Sequence, residues 1–95
     1  MQPIEYYINL RGNFCENCGC RPASELHHAI IRRSKKHPEY DAPENLELVC
    51  RHCHASGDLD SYSHSCVFWK RQVSRGYDME KWIQSLGLKT REFYV

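Results

Sequence analysis

The chain lacks a long apolar run. None of its hydrophobic stretches approaches the roughly 20 residues of a bilayer-spanning helix, so no membrane contact is expected. The opening MQPIEYYINLRGNF also lacks a basic segment followed by an apolar one, the pattern of a secretory signal. The expected setting is therefore intracellular, in the cytoplasm, where thiols stay reduced. Net charge is only +1 at pH 7, which by itself does not announce a nucleic-acid binder. Neither an internal repeat nor a low-complexity linker interrupts the chain, so residues 1–95 read as one domain. Length is scarce too. A domain this small buries little apolar surface and commonly adds disulfides or a structural metal to compensate.

Against these absences stand 6 cysteines. Four form two Cys-x-x-Cys pairs, Cys15 with Cys18 and Cys50 with Cys53. Reduced cysteines at this spacing favour metal over disulfide. Zinc takes four thiolates in a tetrahedron, each pair supplying one edge through a local turn. Phe14 to Gly19 reads as a zinc knuckle, with Gly19 free to take a positive φ. Residues 19–49 between the pairs suffice for a β-hairpin and its loop. The predicted fold is a small α+β domain with a zinc-stabilised treble-clef core: knuckle, hairpin and helix clamped at both ends. Cys20 and His52 are minor alternative ligands, and Cys66 reads as a small core residue.

Residues 3–10 suit a short helix or a strand. Ala23 to Ile31 should be extended, with Leu26, His28 and Ile30 on one face and His27, Ala29 and Ile31 on the other. Polar residues 32–44, with Pro38 and Pro43, read as a loop. Asn45 to Val49 returns as a second strand, and a helix starting after Cys50 carries Cys53 and His54 until Gly57 and residues 58–61 end it. Ser63 to Arg75 suits an amphipathic helix on the pattern Cys66, Val67, Trp69, Lys70, Val73, stopping at Gly76. Asp78 caps a last helix holding Met79, Trp82, Ile83 and Leu86, closed by Gly87. The tail Lys89 to Val95 either pairs back on the body or frays.

The doublet His27-His28 would mean little alone. Its company changes that: Asn45 enters the next strand, and His54 sits on a helix tied to the hairpin by the thiolates. Glu25-Leu26-His27-His28, Asn45-Leu46 and Leu48-Val49-Cys50-Arg51-His52-Cys53-His54 together resemble the HNH endonucleases in their variant with four zinc-binding cysteines. The resemblance covers roughly residues 13 to 58 and implies a ββα-metal core, with the C-terminal helices from about 59 to 95 packed on it. It implies hydrolysis of DNA phosphodiester bonds, with His28 as general base and Asn45 fixing the loop that orients it. His27 and His54 would hold a catalytic divalent metal (Mg²⁺, Mn²⁺, Ni²⁺ or Zn²⁺) beside the structural Zn²⁺. Some relatives place a third ligand one helical turn after the last histidine, which here is Asp58, beyond Gly57. They also often carry a proline soon after the doublet, where this chain has Ala29-Ile30-Ile31. The free-standing size is similar to that of phage and mobile-element members. A monomer would nick one strand, and a weak dimer would cut both.

Charge is uneven although its sum is small. Arg32, Arg33, Lys35 and Lys36 crowd just after the doublet and are candidate phosphate contacts, with Lys70, Arg71 and Arg75 as weaker ones. A zinc deaminase would need His-x-Glu and Pro-Cys-x-x-Cys, but Ala29 follows the doublet and Val49 precedes Cys50. A two-Cys, two-His finger needs histidine spacings that are absent. A non-catalytic zinc module that binds nucleic acid or protein is the remaining competitor. It explains the thiolates and leaves His27, His28, Asn45 and His54 without a task.

Overall fold

Ile4, Tyr7 and Ile8 recur at the i, i+3, i+4 spacing of one helix face, and Ile4–Arg11 forms helix α1. The computed structural model describes residues 1–90, so the tail beyond Thr90 lies outside the described residues. Strand β1, Glu25–His28, pairs antiparallel with β2, Leu46–Val49, in the register Glu25 to Val49 through His28 to Leu46. Helix α2, Arg51–Ser56, follows β2 directly; α3 spans Tyr62–Ser74 and α4 Met79–Ser85. Short 3₁₀ turns occupy Pro38–Asp41, Pro43–Asn45 and Asp58–Asp60.

The ribbon is buried on both faces, and β2 shows why. Leu46 and Leu48 pack against Tyr7 of α1, with Ile4, Ile8 and Leu26 around them. Val49, on the opposite face, joins the cysteines and Leu59. A third cluster gathers Ala29, Phe68, Trp69, Met79, Trp82 and Ile83 where α3 and α4 meet the ribbon exit. Each fully buried apolar side chain of this kind contributes on the order of 1.5–3 kcal/mol. Three small cores, not one large one, hold the domain.

Helix ends follow their local chemistry. Asp78 accepts the Lys81 amide at 3.0 Å and starts α4, and Ser61 accepts that of His64 at 3.1 Å and starts α3. Gly57 takes φ 81°, a left-handed value that stops α2 after Ser56. Two expectations need correction. The extended run does not reach Ile31, because the Ile30 and Ile31 amides donate to the Asn45 side chain and not to a neighbouring strand. Nor does α3 bury the face expected: Phe68, Trp69 and Gln72 point inward, whereas Val67 and Val73 are each about half exposed.

Glu47 is fully buried on β2 and is held from α3, by His64 Nε2 at 2.8 Å and the Arg71 guanidinium at 3.1 Å. Glu16, in the knuckle, contacts Arg75 at 3.2 Å, Arg11 at 3.4 Å and Arg71 at 3.5 Å. These contacts commit Arg71 and Arg75 to internal ion pairs, so they are not the spare phosphate contacts the sequence suggested. The arrangement of α3 makes a direct prediction. Phe68→Ala should cost about 3–5 kcal/mol in denaturant unfolding of the zinc-loaded protein, whereas Val67→Ala and Val73→Ala should stay within about 0.5 kcal/mol. Equal losses at all three would contradict this helix face.

Candidate metal centre and active site

The knuckle is a tight turn in which the Gly19 amide returns to the Cys15 carbonyl at 2.9 Å, with Gly19 at φ 68°. The Glu16 amide bonds the Leu48 carbonyl at 2.8 Å and the Ser24 amide bonds that of Val49 at 2.9 Å, pinning the turn to β2. On the other side, Cys50 is the N-cap of α2, its sulfur accepting the Cys53 amide. Both pairs therefore face one point. The four sulfurs of Cys15, Cys18, Cys50 and Cys53 lie within 4.8 Å of one another, and those of Cys18 and Cys50 are 3.9 Å apart. Zinc at about 2.3 Å from each sulfur would set tetrahedral edges near 3.8 Å, so the cluster fits a structural zinc. Cys20 stands outside it, donating to the Cys18 carbonyl, and His52 is exposed.

The sulfurs' opposed acidities fit a cation held among them. The Cys20 and Arg21 backbone amides favour the thiolate of Cys18, pulling it down to about 6. Cys53 is pushed the other way, to about 12: a bond from Asn17 favours its thiolate, but burial and the three neighbouring sulfurs outweigh it. Four adjacent sulfurs cannot all ionise without a positive charge among them.

His27 and His54 meet across the ribbon–helix junction, ring centroids 5.2 Å apart and planes at 68°. His27 projects from the β1 face opposite Leu26 and is buried. Burial pulls it below the usual imidazole range, against the opposing pull of the Glu47 and Asp60 carboxylates and of the Leu59 backbone, and so favours the neutral ring that a metal requires. Glu25, two residues earlier on the same strand face, accepts from His54 Nδ1 at 2.7 Å and from Arg51 at 3.2 Å. That contact leaves His54 Nε2 free, the orientation a carboxylate commonly gives a metal-ligating imidazole. The His54 and Arg51 bonds in turn hold the Glu25 carboxyl below the usual carboxylate range. The two imidazoles fit as ligands of an open site. Among the described residues, only the four cysteines bring three or more such groups that close together.

Asn45 is fully buried and uses all of its hydrogen-bonding capacity. Its Oδ1 accepts the Ile30 and Ile31 amides at 2.9 Å each, while Nδ2 donates to the Ile31 carbonyl at 2.8 Å and the Tyr40 carbonyl at 2.7 Å. Its own carbonyl accepts the Ala29 amide at 2.9 Å. One side chain thus joins the segment leaving His28 to the 3₁₀ turn Pro38–Asp41. That turn places Asp41 Oδ1 at 2.7 Å from His28 Nε2.

His27, His28 and His54 line one open cleft of about 440 Å³ with Met1, Leu26, Arg32 and Arg33. A smaller cavity of about 130 Å³ shares His27, His28 and Arg32 with it and adds Asp60 and Ser65. A larger cavity, about 510 Å³ between Leu10, Arg11, Arg75 and Tyr77, holds none of these imidazoles, and its guanidinium groups are paired with Glu16. Lys35 and Lys36 are exposed on the following loop and line neither histidine cavity. Asp58 does not continue α2, because Gly57 breaks the helix first; it opens the next 3₁₀ turn and is exposed.

Residues 15–56 match the family model described as HNH endonuclease. Over these residues the chain is similar to HNH endonucleases. No curated protein and no solved structure gives a significant match. The HNH segment holds the four thiolates, both strands, α2, the histidine doublet, Asn45 and His54, while Asp58, Asp60 and His64 lie beyond it.

Within the HNH segment, Glu25 and Asp41 are contacts the sequence reading assigned no role. Glu25 carried a usable signal, since a residue two before His27 shares its strand face. Asp41 carried none, because a 3₁₀ turn inside a proline-bearing loop does not disclose which side chain returns to the strand.

Two outcomes follow. Cys50→Ser should release zinc and unfold the domain. A structural zinc contributes about 10–16 kcal/mol in small peptides, against about 5–15 kcal/mol for a typical domain's whole stability. Cys20→Ser should retain zinc; circular dichroism with a colorimetric zinc assay separates the two. Asn45→Asp keeps both acceptor bonds but turns both donors into a buried charge facing carbonyls. It should cost at least about 2–3 kcal/mol in thermal unfolding, and a variant as stable as the native chain would contradict the four-bond assignment.

Proposed function

We propose that this chain is a metal-dependent endonuclease that hydrolyses phosphodiester bonds of DNA. The observation that carries the reading is the convergence of His27, His54 and His28 on one cleft that also contains Arg32 and Arg33. In this reading His27 and His54 hold a divalent cation, with Glu25 keeping the His54 ring turned for it. When bound, that cation supplies charge stabilisation for the phosphate and the leaving oxygen.

The remaining work belongs to the chain's own groups. Arg32 and Arg33, exposed at the cleft, draw the phosphate backbone in, and Lys35 and Lys36 extend the positive charge along the adjoining loop. His28 takes a proton from the attacking water, the task of a general base. Asn45 holds the backbone on which His28 rides. Asp60, near His27, and not Asp58, is the carboxylate best placed to support the metal-binding side. Contacts of this kind touch the sugar–phosphate backbone more than base edges, so sequence preference should be weak.

Nicking of supercoiled plasmid with Mg²⁺, Mn²⁺ or Ni²⁺ tests the activity. The native chain should convert plasmid to the open circle, and His28→Ala should be slower by roughly 10²- to 10⁴-fold while retaining zinc and fold. A native chain inert with all three metals, or a His28→Ala variant equally fast, would leave a non-catalytic zinc module as the better reading. Replacing Arg32 and Arg33 together by Ala should flatten the dependence of log K on log salt by about 0.9 per lost phosphate contact. An unchanged slope would put the DNA path elsewhere.

A further inference from the structure

If His28 is the base, its ring has two nitrogens, and only one can face the water. Nε2 is taken: it lies 2.7 Å from Asp41 Oδ1. The contact is partly sheltered, the two side chains being 12% and 27% exposed. His37 and Glu39 make a pair of the same length nearby, yet both are about half exposed and line neither histidine cavity. Such surface pairs contribute little. The His28–Asp41 pair differs because Asn45 fixes both halves. It bonds Ile30 and Ile31, just past His28, and the carbonyl of Tyr40, just before Asp41. The Asn45 backbone amide also donates to the Ala42 carbonyl at 2.9 Å, closing the turn Pro43–Asn45 that follows directly after the carboxylate.

An ionised carboxylate only accepts hydrogen bonds. In the neutral ring the proton therefore sits on Nε2, donated to Asp41, and the lone pair is left on Nδ1. We propose that Asp41 is a positioning residue for phosphodiester hydrolysis, fixing the tautomer and ring plane of His28 so that Nδ1 meets the water. This rests on the assignment of His28 as the base. In the step itself the water oxygen bonds to phosphorus as its proton passes to Nδ1. The phosphorus–oxygen bond to the leaving group breaks, and the leaving oxygen takes a proton from solvent. The imidazolium formed for that moment is flanked by the Asp41 carboxylate, which stabilises it as a carboxylate does behind other catalytic histidines.

The test uses the full zinc-loaded chain and two substitutions. Asp41→Asn keeps size and hydrogen bonding, but its amide can donate to Nε2 and push the proton to Nδ1. A purely structural partner would be replaced well by Asn. The proposal expects single-turnover nicking to fall roughly 10²- to 10⁴-fold in both Asp41→Asn and Asp41→Ala, with plasmid affinity and zinc content unchanged. Asp41→Glu should restore part of the rate. ¹⁵N shifts of the His28 ring should show a proton on Nε2 in the native protein and a changed tautomer population in Asp41→Asn. A proton on Nδ1 in the native protein, or full nicking by Asp41→Asn while His28→Ala is inactive, would overturn the role of Asp41 alone. A His28→Ala variant as fast as the native chain would remove the base assignment and this proposal with it.

Discussion

Four sulfurs within one small volume repel as soon as they ionise, and the cluster fits a divalent cation that would resolve that conflict. The other features of the fold depend on it. Cys15 and Cys18 come from a turn that hangs from β2 by backbone bonds, and Cys50 and Cys53 open the helix that leaves β2. α2 is only 6 residues long, too short to be stable alone. Its orientation relative to β1, and with it the approach of His54 to His27, comes from the thiolate cluster, the Glu25 contact and packing on Leu59.

A second constraint acts where the metal does not reach. Past His28 the chain leaves the ribbon and would have unpaired amides in a half-buried place. Asn45 satisfies them and holds the opposing turn as well. No other side-chain chemistry provides two donors and two acceptors in so compact a group except glutamine, which is a methylene longer. An aspartate has no donors and a serine only one. The choice of asparagine therefore follows from counting bonds.

Much of the secondary structure could be read along the chain because its signals are local. Asp78 before Met79 and Gly57 after Ser56 act through backbone groups within a turn of themselves. The cysteine cluster was legible for the same reason, since each pair is a local turn and only their meeting is long-range. What escaped was the choice of partner across the fold. Arg71 and Arg75 look available in sequence, because nothing there reveals two carboxylates beneath them. The inward face of α3 does not follow the apolar pattern because Gln72, bonded to the Pro43 and Glu44 carbonyls, is as buried as Phe68. Asp41 and the Asp60 turn belong to the same class: their positions depend on Asn45 and Gly57, and only three dimensions show where the side chains return.

The ion pairs beneath the ribbon bear on how this domain could be moved between proteins. Glu16 and Glu47 lie inside residues 15–56, but their partners Arg11, His64, Arg71 and Arg75 all lie outside. Excising the family segment alone would remove the partners of both carboxylates together with the helices that carry them. The portable unit is thus set by these pairings and extends well past the motif, from the first helix through the third.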